Sequence, residues 1–166
     1  FREQIVVARA TDMDAKTSSA LANLEQTLEN HAFDRAAKEA AKIERLFPDS
    51  ENVRDVVRRV AQAREQYKHD LERQFLAASE RDEVDRAISL LKELDKYLTE
   101  EEAEPFRETA RGIIGKKRDN LGVQFKMAVH DKEWFRAVSV GEQIIREFPN
   151  TRMADEVQAM LDLLPE

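Results

Sequence analysis

His31-Ala32-Phe33-Asp34-Arg35-Ala36-Ala37, Asp82-Glu83-Val84-Asp85-Arg86-Ala87-Ile88 and Lys132-Glu133-Trp134-Phe135-Arg136-Ala137-Val138 are three copies of one stretch, and their reading decides the fold. The Arg-Ala pair recurs at intervals of 51 and then 50 residues. Downstream, Ala40 and Ile43 correspond to Leu91 and Leu94 and to Gly141 and Ile144. The copies end in Phe47-Pro48-Asp49-Ser50, Leu98-Thr99-Glu100-Glu101 and Phe148-Pro149-Asn150-Thr151, each preceded by a basic residue (Arg45, Lys96, Arg146). Upstream, Leu24, Phe75 and Phe125 align, as do Asn23, Gln74 and Gln124. So many matching columns identify an internal repeat of about 50 residues.

Each copy predicts a short amphipathic helix. Phe33, Ala36, Ala37, Ala40 and Ile43 recur at helical spacing, as do Val84, Ala87, Ile88, Leu91 and Leu94, and Trp134, Ala137, Val138, Gly141 and Ile144. Pro48 and Pro149 stop their helices, and Arg45, Lys96 and Arg146 suit the negative helix end. Longer helices are predicted between them, over 3–30, 50–80 and 102–130, with a truncated one over 151–163. The apolar stripe of the second runs Val53, Val56, Val57, Val60, Ala63, Tyr67, Leu71, Phe75 and Ala78. The third carries Phe106, Ile113, Leu121, Phe125 and Val129, with Pro105 expected in its first turn. Thr99 and Glu102 have capping-box spacing, and Gly112, Gly115 and Gly122 suggest a bend. Stacked hairpins share a core that one hairpin cannot build alone. The expected architecture is therefore all-α: repeat units over 1–48, 49–99 and 100–149 with a terminal helix over 150–164, in one domain spanning 1–166.

Composition agrees with this. Among 166 residues, 37% are charged and 42% hydrophobic, with a net charge of −7 and only 4 Gly and 4 Pro, too few for a turn-rich β fold. Without cysteine there are no disulfides, thiolate metal sites or thiol nucleophiles. No apolar run approaches the roughly 20 residues of a spanning helix, and no signal peptide is visible. Phe1 rather than Met opens the chain and Ile5–Ala10 read as mid-helix, so a longer parent chain with an upstream targeting or anchoring segment is expected.

No catalytic constellation stands out. His31, His69 and His130 are read as turn and surface histidines, because no HExxH or Glu-x-x-His pair converges on a metal. Glu100, Glu101, Glu102 and Glu104 are read as first-turn carboxylates. Arg54, Arg58 and Arg59, and Lys116, Lys117 and Arg118, are read as salt-bridged faces. With the net negative charge, nucleic acid is not an expected partner. Trp134 and Phe135 are both expected to be covered by the next helix. No catalytic, cofactor-binding or metal-ligating residue is assigned.

These columns resemble the tetratricopeptide repeat (TPR), whose second helix carries a small residue, a second residue four places on and a terminal proline. The matching places are Ala36, Ala40 and Pro48; Ala87, Leu91 and Thr99; and Ala137, Gly141 and Pro149. The FPxS/T-like ends are similar to those of many bacterial members. The first-helix pattern fits poorly, and the period exceeds the usual 34 residues. The resemblance implies a right-handed solenoid of long–short hairpins and a non-enzymatic scaffold that binds a protein or peptide on the face of the longer helices. The implied face comprises Ser18, Leu21, Glu25 and Leu28; His69, Glu72, Leu76 and Ser79; and Asp119, Gly122, Lys126 and Val129. Within it, Leu21, Glu25, Leu28, His69, Glu72, Leu76, Lys126 and Val129 are the expected partner contacts. It lacks the Lys/Asn/Arg set that clamps C-terminal carboxylates, and an apolar or amphipathic helix fits better. The alternative is a self-associating spacer in a membrane-tethered envelope protein, motivated by the near-heptad Val53, Val56, Val60 and Tyr67.

Overall fold

A computed structural model describes residues 2–164, with side chains described from Asp12 onward. All regular structure among the described residues is helical. The helices are α1 (Arg2–Glu29), α2 (Phe33–Leu46), α3 (Val56–Glu80), α4 (Val84–Leu94), α5 (Glu100–His130), α6 (Trp134–Glu147) and α7 (Arg152–Asp162). Single 3₁₀ turns cover Glu51–Val53 and Asp95–Tyr97. The chain divides into two compact units, residues 1–70 and 71–166, with the division inside α3.

One turn joins each long helix to the short helix after it, and it recurs three times. His31, Asp82 and Lys132 have φ of 57°, 57° and 59°, in the left-handed region. In each case that residue's N–H bonds three residues back: His31 to Leu28, Asp82 to Ser79, Lys132 to Val129. The next N–H bonds five back: Ala32 to Thr27, Glu83 to Ala78, Glu133 to Ala128. This is the Schellman arrangement, which satisfies carbonyls that a helix end otherwise leaves open. None of the three positions holds glycine, so each carries the side-chain cost of the left-handed conformation. The three alanines one helical turn on (Ala36, Ala87, Ala137) are 0% exposed. Their lack of a longer side chain sets how closely the short helix approaches.

Unit 1 closes around Leu24, Ala36, Ala40, Ile43, Val53, Val56 and Val60. Burying side chains of this size stabilises by about 1.5–3 kcal/mol each for Val, Leu and Ile. His31 stacks on Tyr67 with ring centroids 3.9 Å apart, and Phe33 tilts against the same ring at 5.7 Å. In unit 2, Leu121, Phe125, Ala128, Ala137, Val140, Ile144 and Val157 form one core cluster. Phe75 meets Phe106 edge-on at 5.7 Å. Gly141 lets α6 lie close to α5 and α7: a Cβ there would stand 3.1 Å from the side chains of Phe125 and Leu161, which would have to give by a few tenths of an ångström.

Several expectations are corrected by the structure. The third long helix begins at Glu100, capped by Thr99 and Glu102 in a reciprocal capping box, so Pro105 falls in its second turn. It runs as one helix through its three glycines. The second begins at Val56, because Glu51–Val53 form a separate 3₁₀ turn and Asp55 takes a left-handed φ of 60°. Lys96 lies in a 3₁₀ turn beyond the end of α4. Ala37 is exposed, and so are Val57 and Val138, which sit at the edges of their apolar stripes. Phe135 is 94% exposed: it is about 100° around the helix from Trp134, and the half-buried Trp134 takes the covered side.

Candidate functional site

Many side chains of the charged clusters singled out in the sequence form ion pairs. Arg107 bonds Glu100 at 2.9 Å and Asp95 at 3.2 Å, and Arg111 bonds Glu104 at 3.0 Å and Glu108 at 2.7 Å. Those carboxylates raise both guanidinium groups above their ordinary range, with Glu100 acting first on Arg107 and Glu104 first on Arg111. Glu93 raises the Lys96 ammonium in the same way, chiefly through its hydrogen bond. Lys116 pairs with Asp82 at 2.7 Å and Lys117 with Glu147 at 3.2 Å. Arg58 meets Asp55 at 3.8 Å, while Arg59 donates to the Asn52 carbonyl at 3.0 Å. These exposed pairs account for the charge runs as a laced solvent face. Among the described residues no three His, Asp or Glu side chains are grouped as a metal site. No described helix is long and apolar enough to cross a membrane.

The residues of the expected partner face separate into three kinds. Leu21 and Leu28 are half-buried and pack against the unit 1 core, while Glu25 beside them is exposed. On α3, Glu72 is half-buried, Ser79 is buried and bonded to the Phe75 carbonyl at 2.8 Å, and Leu76 is 47% exposed. His69 is exposed. Val129 packs against the unit 2 core. Asp119, Gly122 and Lys126 do come together, along one wall of a groove between α5 and α7. The stripe Val53, Val56 and Val60, expected to carry self-association, is 1–3% exposed in the unit 1 core.

That groove has a volume of about 230 Å³ and a mainly apolar lining. From α5, Asp119, Gly122, Val123 and Lys126 follow one face at helical spacing, with Phe125 at the base. From α7, Met153, Glu156, Val157 and Met160 do the same. Gly122 opens the floor: a Cβ there would lie 2.9 Å from the methyl group of Met153. Phe125 and Val157 are buried, whereas Val123 is 56% and Met160 39% exposed. The groove thus has a fixed base and adaptable lips, since methionine repacks readily.

Sequence reasoning reached the α5 wall and missed the α7 wall. The signal available was the methionines: only 4 occur in the chain, and Met153 and Met160 are two turns apart on one helix. No protein-family model, curated protein or solved structure matches the chain.

Proposed function

We propose that this chain is a divergent TPR-like array of long–short helical hairpins that acts as a non-enzymatic protein-interaction module. Its partner is a peptide or helix with an apolar face, seated in the α5–α7 groove. The recurrent left-handed turns at His31, Asp82 and Lys132 and the fully buried Ala36, Ala87 and Ala137 support the array reading. The observation that carries the binding reading is Val123 and Met160. Both stand substantially exposed at the rim of a recess whose base, Phe125 and Val157, is buried and apolar. Such exposed apolar lips around a buried base suit an amphipathic helix.

The test is selection of displayed helical peptides on the whole chain, repeated on a Val123→Glu/Met160→Glu variant. Both positions are exposed, so the variant should keep its circular dichroism and melting profile. Enriched peptides should bind the variant at least about tenfold more weakly, as loss of two apolar contacts to buried charge implies. Equal binding to both proteins, or no enrichment on the unaltered chain, would overturn the reading.

A further inference from the structure

The same groove carries a charge pattern, and from it we infer the chemistry of its occupant. We infer that the occupant is an amphipathic helix with a basic residue, two apolar anchors one turn on, and a carboxylate two turns from the base. It lies so that the base meets Asp119 and the carboxylate meets Lys126. This rests on the groove being the binding site.

Asp119 and Lys126 are seven residues apart on α5, hence about 10 Å along its axis and nearly in line. Gly122 and Val123 lie between them, so the wall reads acid, apolar, base. Lys126 has no ion-pair partner among the described residues, whereas Lys116, Lys117 and Arg118 on the same helix are all paired. Among the described residues Asp119 pairs with its neighbour Arg118, at 3.4 Å with both side chains exposed, a pairing weak enough for a partner to displace. On the α7 wall, Glu156 forms an exposed pair with Arg152 at 3.0 Å, which offsets its charge in part. The α5 wall carries both signs, an acid and a base two turns apart, and so gives the groove a direction. A ligand helix running parallel to α5 rises by the same 1.5 Å per residue, so a base at i, anchors at i+3 and i+4 and an acid at i+7 match Asp119, Gly122 with Val123, and Lys126.

Two blocked, alanine-rich helical peptides of identical composition test this. One carries Lys-x2-Leu-Leu-x2-Glu, and the other has Lys and Glu exchanged. Each is titrated by fluorescence anisotropy against the whole chain, an Asp119→Lys/Lys126→Glu variant and a Val123→Glu variant. The first peptide should bind the unaltered chain about fivefold more tightly than the second. The preference should invert on the doubly exchanged variant, and both peptides should lose affinity for Val123→Glu. Equal affinity for the two peptides, with both weakened by Val123→Glu, would overturn the charge pattern and leave the groove standing. Absence of binding up to roughly 1 mM, or binding that Val123→Glu does not touch, would overturn both.

Discussion

The turns after α2 and after α6 start alike and finish differently. A phenylalanine follows the last residue of each helix, with Phe47 N–H donating to the Ile43 carbonyl at 2.9 Å and Phe148 N–H to that of Ile144 at 2.8 Å. Their backbone angles nearly coincide, at φ −130° and −126°. Proline follows in each case. Then Asn150 takes a left-handed φ of 63°, and Thr151 caps α7 by accepting from Ala154 N–H at 3.1 Å and donating to Phe148 O at 2.7 Å. After α2, Ser50 makes no side-chain cap, a 3₁₀ turn follows, and α3 waits until Val56. Asparagine enters the left-handed region more readily than most residues. Met153 and Ala154 are also better helix formers than Asn52 and Val53. Val53 is instead drawn into the unit 1 core, at 2% exposure. A shared four-residue ending therefore determines how one helix stops and leaves the start of the next to the residues beyond it.

Three substitutions sharpen that comparison. The largest effect belongs to what the two turns share. Ile144 is 0% exposed beneath the last turn of α6, and Ile144→Ala should cost about 2–5 kcal/mol in denaturant unfolding of the whole chain. A loss under about 1 kcal/mol would mean the site collapses around the smaller side chain. Next comes what they do not share. Thr151→Ala should cost about 1 kcal/mol and raise amide exchange in the first turn of α7, whereas Ser50→Ala should fall within a few tenths. Equal losses at the two positions would remove the distinction between a capped and an uncapped start. The smallest effect tests the turn that all three hairpins do share. Lys132→Gly relieves a left-handed side chain without touching a core residue, and should stabilise by about 0.5–1 kcal/mol. A destabilised variant would show that the greater freedom of glycine in the unfolded chain outweighs the relief.

Much of the fold was legible because its signals are local. Helix spacing marked Ala36, Ala87 and Ala137 as covered, and all three are fully buried. Thr99 and Glu102 announced their capping box, and it forms. The left-handed turns were not read, because His31, Asp82 and Lys132 share no side-chain chemistry and none is glycine. What unites them is backbone geometry at equal places in the repeat. Of the candidate site, Asp119, Gly122 and Lys126 followed from the repeat columns, while Met153, Glu156 and Met160 lie on a helix more than two dozen residues away in sequence.

By itself, then, the sequence determined that this chain is all-helical, where its hairpins turn, and which side of each short helix is apolar. Those properties depend on neighbours within a few residues, through the 3.6-residue period and the capping groups. Tertiary structure decided which apolar side chains are consumed and which are left out. Val53, Val56 and Val60 disappeared into a core, Phe135 stayed outside beside a half-buried Trp134, and Gly122 acquired meaning only when Met153 arrived above it. Periodicity says that a face is apolar. Only the packing of distant segments says what covers it, because burial is a property of the pair of surfaces and not of either one alone.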